Sequence, residues 1–390
     1  MEQFPRFDDA LFSFPSGHHI QPTVVSKMPE SYSHRNGVQI IDLQPFLDGS
    51  NKKLVADAIL ESFKSIGFVY LVNHGLSQDK IDSMFEWSKK MFSQPLETKQ
   101  LAPHPESGAH HRGYSAPGRE KVVRLGHLDD RDSGGEMENK NVHAEIQRDI
   151  KESFEVGRED NAEMPNIWFP ESVIPGFKEA CVGFYWSCYE IEKTILKALA
   201  LGFNLSEDFF LQYHSNADNQ LRLLHYPSIT AKILEDKNAS RIPSHTDFCS
   251  LTMLMQDSVG GLEVEDPNQP GVFIPVPPIP GSIVVNAGDF LMRWSNDTIK
   301  STVHRVRAPG GSDYAVIPSR YSIPYVSSPI DTTKTGTRAY DLWCLWTQFC
   351  GADLNTVVDC IPGTWSAVRP KKYPPITARE YVLERLAANY

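Results

Sequence analysis

Read for the spacing of its apolar residues, the chain changes character near residue 218. Before that point helical periods dominate. KKLVADAILESFKSIGF repeats Leu54, Ala58, Ile59, Phe63 and Ile66 at helical intervals, and a second amphipathic stretch aligns Ile81, Met84, Phe85, Ser88, Met91 and Phe92. Two short apolar strands, VQIIDL and FVYLVNHG, flank the first helix. A long helix is predicted from about Ile174 to Leu201, with Phe177, Phe184, Ile191, Ile195 and Leu199 on one face. Ser206 stands where it would cap a shorter helix, DFFLQY. Residues 100–170 lack a clear period but contain two distinctive phrases, RGYSAPGREKV and DIKESFEVGRED, around a polar surface loop at 124–150.

After residue 218 the runs LRLLHY, SLTMLMQD, GLEVED, FIPVPP, SIVVNAG, TVHRVRA and SRYSIPYV are separated by Gly, Pro, Asn and Asp. Short strands at such spacing indicate an antiparallel sandwich or barrel. The expected fold class is α+β, helices and two strands first and a β-barrel after them. Residues 1–36 read as a flexible leader, 37–215 as an N-terminal helical region and 216–390 as the barrel.

Composition narrows the function. The 390 residues are 41% hydrophobic and 22% charged, ordinary for a globular protein. A formal net charge of -11 argues against a nucleic-acid or anionic-membrane partner. No apolar run approaches the roughly 18 residues that span a bilayer, and the N-terminus has no secretory signal pattern. The six cysteines form no CxxC pair and suggest reduced thiols, hence a cytoplasmic location.

The candidate chemistry begins at RIPSHTDFCSLTMLMQD, where His245 and Asp247 stand two apart at the start of a strand-like run. Residues i and i+2 of a strand share a face, so the two side chains are expected to enter one space. Burying such a pair is costly unless something binds it. His304, in STVHRV, is the best third ligand. Two histidines and one carboxylate form the facial set of non-haem Fe(II) oxygenases. Taken alone, an HxD pair is common in a chain with 13 histidines. SRYSIPY adds a second element: Arg320 and Ser322 share a face, and a guanidinium fork matches a carboxylate. That carboxylate belongs either to a small molecule or to a protein Asp or Glu. Tyr226, in LLHYP, is placed to add a hydroxyl or is simply core.

HTD, VHRV and RYS, in that order, resemble the iron(II)/2-oxoglutarate-dependent dioxygenases of the isopenicillin N synthase-like family, from about Val38 to the C-terminus. RGYSAPGREKV, DIKESFEVGRED, LRLLHYP and RWSNDTIKSTVHRV are similar to phrases of the fungal thymine 7-hydroxylase-like proteins. The resemblance implies a double-stranded β-helix, or jelly-roll, core with flanking N-terminal helices. It implies that His245, Asp247 and His304 bind Fe(II), and that Arg320 and Ser322, with Tyr226, hold the distal carboxylate of 2-oxoglutarate. It further implies that O2 and 2-oxoglutarate are consumed, that CO2 and succinate are formed, and that ascorbate supports turnover in vitro.

The substrate is less defined. Phe248 follows the metal-binding aspartate where the thymine hydroxylase-like proteins carry Tyr, and Val326 ends SIPYV where they carry an aromatic residue. Losing a stacking ring removes about 0.5–1.5 kcal/mol from a flat pyrimidine. Arg222 and Asn219 match the subgroup and are expected either to face the pocket or to form a structural pair at a strand start. The favoured expectation is a small-molecule substrate from secondary metabolism, most simply hydroxylated. The alternatives are thymine 7-hydroxylation, a 2-oxoglutarate-independent iron oxidase, and a non-catalytic binding module. Residues 334–356 interrupt the family pattern between SIPYVSSPIDTT and VVDCIPGTW, as either a genuine insertion or translated intron.

Overall fold

The computed structural model describes residues 34–105, 110–118, 121–123, 146–162, 164–230, 239–308, 316–327, 357–377 and 380–381. The leader to residue 33, most of the polar loop and the 334–356 segment lie outside the described residues.

A nine-stranded sheet organises the described chain. Across it run His34–Arg35, Val38–Asp42, Phe68–Val72, Ser282–Ala287, Leu251–Gln256, Arg320–Val326, Gln220–Tyr226, Glu152–Val156 and Gly113–Ser115. Every neighbouring pair is antiparallel except Val38–Asp42 with Phe68–Val72. A four-stranded antiparallel sheet, Ile242–His245, His304–Val306, Leu262–Glu265 and Phe273–Pro275, lies opposite. The large sheet takes strands from both sides of residue 216.

Alternation along each strand assigns its two faces. Leu251, Met253 and Met255 pack with Ile323, Tyr325, Leu221, Leu223, Phe154 and Val285 against the helices. The intervening residues Phe68, Tyr70 and Val284 pack instead with Leu262, Val264 and Val306 of the smaller sheet. Those same inward positions carry Arg320, Ser322, Thr252, Gln256, Asn286, Arg222 and Tyr226, whose register aligns them across neighbouring strands. Polar groups therefore line one part of the space between two sheets, as in a jelly roll.

The helices cover the other face. Gln78–Phe92 buries the six residues its period selected, and the Ser77 side chain accepts from the Lys80 amide. Phe177–Gly202 packs its apolar face against Lys52–Ser65. In the latter helix the expected register is corrected. Val55, Ala56, Leu60 and Ser62 join Ile59 and Phe63 inside, while Leu54 is 64% exposed. The short helix expected after Ser206 is also corrected: only a 3-10 turn at Leu211–Tyr213 forms. Phe209, Phe210, Tyr213 and His214 all pack on Trp294, so aromatic contacts rather than helix period decide that segment.

Candidate active site

His245 is the last residue of Ile242–His245, and His304 is the first of His304–Val306 directly across from it. Asp247 is not in a strand. It lies in the turn leading to Leu251–Gln256, which corrects the expectation that strand alternation aims the pair. The turn is held instead by the amide of Asp289, which donates to the Asp247 carbonyl at 2.7 Å, and by Gly288 N–H to the Ser250 carbonyl. Gly288 is required by this close approach: a Cβ there would lie 2.1 Å from the Cys249 carbonyl oxygen.

The three side chains converge. His245 Nε2 and His304 Nε2 lie 3.6 and 3.5 Å from Asp247 Oδ1, and the ligand atoms all fall within 4.8 Å of one another. These separations are too long for hydrogen bonds. They are slightly wider than the roughly 3 Å that separates adjacent ligands of an ion with bonds of about 2.1 Å at right angles. Each ring turns its Nδ1–H to a backbone carbonyl, that of Pro243 for His245 and Thr302 for His304. That fixes the tautomer and leaves both Nε2 lone pairs facing inward. Asp247 accepts from Thr252 Oγ1 at 2.6 Å and Asn286 Nδ2 at 2.7 Å through Oδ2, so Oδ1 faces the imidazoles.

Electrostatics agree with a cation site. Burial, then the neighbouring His304 ring, hold His245 down at about 4, so it is neutral at pH 7, the form a metal ligand needs. Burial pushes the Asp247 carboxyl up, but His304, His245, Asn286 and Thr252 outweigh it and the net shift is downward. This N2O donor set without thiolate suits Fe(II).

Arg320, Ser322 and Tyr226 share the inward face and form a second group. Arg320 donates from Nη1 to Ser322 Oγ at 3.0 Å and lies against the Tyr226 ring, its Cζ 4.9 Å from the centroid. Arg320 Nε and Tyr226 Oη are buried without a partner, and among the described residues no carboxylate pairs with this guanidinium. Orphaned buried donors of this kind call for an acceptor such as a carboxylate.

The substrate candidates separate. Phe248 is buried beside Asp247, and Val326 pairs with Thr252, which itself holds Asp247. Arg222 faces inward and pairs with Glu155 at 2.7 Å. Asn219 does not join them: its amide donates to Tyr325 Oη and to Glu192 on the helical side, a structural role rather than a pocket one. Sequence reading missed Glu155, Thr252, Asn286 and Gln256. Asn286 was the most findable, a lone amide inside the apolar run SIVVNAG.

A second cluster, His104, His111 and Glu155, has ligand-like spacings of 3.3 to 3.9 Å. It has a simpler explanation. His104 gives Nδ1–H to the Pro105 carbonyl and takes a hydrogen bond from His111, while Arg222 balances Glu155.

Comparison with known proteins agrees with this geometry. Residues 217–329 match the family model described as 2OG-Fe(II) oxygenase superfamily, and residues 38–171 match the non-haem dioxygenase in morphine synthesis N-terminal model. A relative from Metarhizium majus, the 2-oxoglutarate-Fe(II) type oxidoreductase ppzD, is 39% identical over 77% of this chain and 86% of its own. The chain belongs to the 2OG-Fe(II) oxygenase superfamily. It is a 2-oxoglutarate-dependent non-haem iron dioxygenase that uses Fe(II), 2-oxoglutarate and O2. Another relative, the 2-oxoglutarate-dependent dioxygenase gloF of Glarea lozoyensis, is 35% identical over 90% of this chain and 99% of its own. A full-length Neurospora crassa protein, solved in complex with alpha-KG and thymine, superimposes with a TM-score of 0.73 at 37% identity, covering 92% of this oxygenase and 99% of that chain. The jelly-roll fold is therefore shared with solved 2-oxoglutarate oxygenases. Among the described residues no helix is long and apolar enough to cross a membrane.

Proposed function

We propose that this dioxygenase oxidises a small organic molecule, most simply by hydroxylation, within a fungal secondary-metabolite pathway. His245, Asp247 and His304 hold the Fe(II), and Arg320, Ser322 and Tyr226 hold the distal carboxylate of 2-oxoglutarate. The observation that carries the site reading is the presence of two groups in the space between the same two sheets. Three metal-ligand atoms converge at distances no hydrogen bond explains, and the inward face of the larger sheet carries a guanidinium and a phenol with unspent donors.

When bound, iron would activate O2, which would be reduced at the expense of 2-oxoglutarate, oxidised to succinate and CO2, and of the substrate, which would gain one oxygen atom. The protein's part is placement. Thr252 and Asn286 keep the Asp247 carboxylate turned to the imidazoles. Phe68, whose ring meets His304 edge-on at 5.4 Å, and the inter-sheet residues Tyr70, Val264 and Val284 keep water from that side. Arg222, Phe248 and Val326 face or border the remaining space and set which substrate fits.

Relatives bearing different names support the substrate reading. One is called a proline hydroxylase, and another family member was solved with thymine, so the shared fold does not dictate one substrate. Thymine is the second reading. It is favoured by the likeness to the Neurospora crassa protein and opposed by Val326, which brings no ring to stack on a flat base.

The test is succinate formation by purified protein with Fe(II), ascorbate, O2 and 2-oxoglutarate, run alone, with thymine and with fungal metabolite extracts. Succinate that rises with an extract fraction and not with thymine supports the proposal. A rise with thymine alone moves the assignment to the second reading. Substrate oxidation that proceeds without 2-oxoglutarate contradicts both.

A further inference from the structure

Beside Arg320 the structure places a second arginine that neither the sequence motifs nor the site described above employs. Arg241, immediately before Ile242–His245, is 1% exposed. It approaches from the side of the smaller sheet, whereas Arg320 belongs to the larger one. The two guanidinium groups share one phenol and feel each other's charge: Arg241 Cζ lies 5.7 Å and Arg320 Cζ 4.9 Å from the Tyr226 ring centroid.

The donors of this group are poorly spent. Arg241 gives Nη2–H to the Pro318 carbonyl, while its Nε and Nη1 have no partner. Arg320 Nε and Tyr226 Oη are in the same state. No carboxylate pairs with either arginine among the described residues, and Asp257, whose charge acts on Arg241, accepts from the amides of Val259 and Tyr321. Burial, followed by the charge of Arg320, lowers Arg241 to about 10, so it remains cationic at neutral pH. Two like charges buried side by side with orphaned donors are unfavourable by themselves. A carboxylate, with two oxygens and about four acceptor sites, resolves both the charge and the missing bonds.

We infer that Arg241 is a 2-oxoglutarate-binding residue, closing a two-arginine clamp with Arg320 around the distal carboxylate. The inference rests on the reading above that Arg320 and Tyr226 hold that carboxylate, and it extends it to selectivity. A clamp of two cations demands an anionic distal group, so 2-oxo acids lacking one, such as 2-oxobutyrate, are excluded as cosubstrates.

The test uses the full chain without metal and the variants Arg241→Met, Arg241→Lys and Arg320→Met. Glutarate, which has the carboxylates but cannot chelate through a 2-oxo group, is the probe in thermal unfolding and calorimetry. The expected result is that glutarate stabilises the wild type and binds about 10-fold or more weakly to Arg241→Met, the loss of one charge-assisted contact. Arg241→Lys, which keeps the charge without the fork, is expected between the two. In turnover, KM for 2-oxoglutarate rises by a similar factor while kcat at saturation is held. Glutarate affinity within twofold of wild type in both Arg241 variants, with Arg320→Met impaired, overturns the role of Arg241 alone. Wild-type affinity in Arg320→Met as well overturns the carboxylate site itself. If Arg241→Met does not fold, Arg241→Lys decides: unchanged affinity and unchanged KM refute the clamp, and a rise in both Kd and KM supports it.

Discussion

Glu192 gives a pH-dependent stability that the sequence alone does not suggest. It lies on the Phe177–Gly202 helix and is buried. Its two oxygens accept from Asn219 Nδ2 and Ser327 Oγ, and no cation pairs with it among the described residues. Burial raises its carboxyl from 4.5 to about 7, against the opposing hydrogen bonds of Ser327 and Asn219. Because the folded value is the higher one, the folded state binds the proton more tightly. Stability is therefore greatest below the unfolded value and declines as pH rises from about 4.5 through about 7. A shift of this size corresponds to about 3 kcal/mol. Glu192→Gln keeps the shape and both hydrogen-bond partners but cannot ionise. Urea unfolding of the metal-free protein at pH 5, 6, 7 and 8 measures the difference. The variant is expected to match the wild type within about 1 kcal/mol at pH 5 and to be more stable by about 3 kcal/mol at pH 8. A difference that does not change with pH refutes the assignment of a buried, charge-disfavouring carboxyl.

Two further outcomes follow from the site. Arg222→Met removes the guanidinium paired with the buried Glu155 carboxylate and is expected to cost about 3–5 kcal/mol in urea unfolding, most of it recovered in the double variant with Glu155→Gln; equal losses in the single and double variants contradict a buried ion pair. Gly288→Ala drives a methyl group into the Cys249 carbonyl and is expected to lower stability by at least about 2 kcal/mol and to reduce iron content, measured by thermal unfolding and metal analysis; wild-type values in both show that the Asp247 turn does not depend on this contact.

The parts of the site that could be read in the sequence are those in which chemistry is local. Arg320 and Ser322 occupy alternate positions of one strand, so period 2 alone put them on one face. His245 and Asp247 were found for a reason that only partly holds: they converge because the turn between two strands is pinned by Gly288 and Asp289, contacts about 40 residues away. Asn219 precedes its strand, where alternation sets no direction, and it points to Glu192. Glu152–Val156 shows no period because all five residues are buried, Glu152 in an ion pair with Lys99 and Glu155 in one with Arg222. Arg241 is beyond local reading altogether, since its neighbours Tyr226, Pro318 and Arg320 come from other strands or the segments beside them. In the helices the long apolar face of Phe177–Gly202 was legible, whereas Leu54 shows how one turn of ambiguous period places a leucine on the wrong side.

Everything proposed for this enzyme depends on His245, Asp247 and His304 holding one iron to which 2-oxoglutarate binds beside Arg320. The most direct measurement is anaerobic titration of the protein with Fe(II) and then 2-oxoglutarate, followed by metal stoichiometry and by the visible charge-transfer absorption of an iron-chelated 2-oxo acid. The wild type is expected to bind one equivalent of iron and to develop the absorption on addition of 2-oxoglutarate. Asp247→Ala is expected to lose the iron, and Arg320→Met to keep it while needing about 10-fold or more 2-oxoglutarate for the same absorbance. Iron binding and absorption unchanged in Asp247→Ala would contradict the assignment.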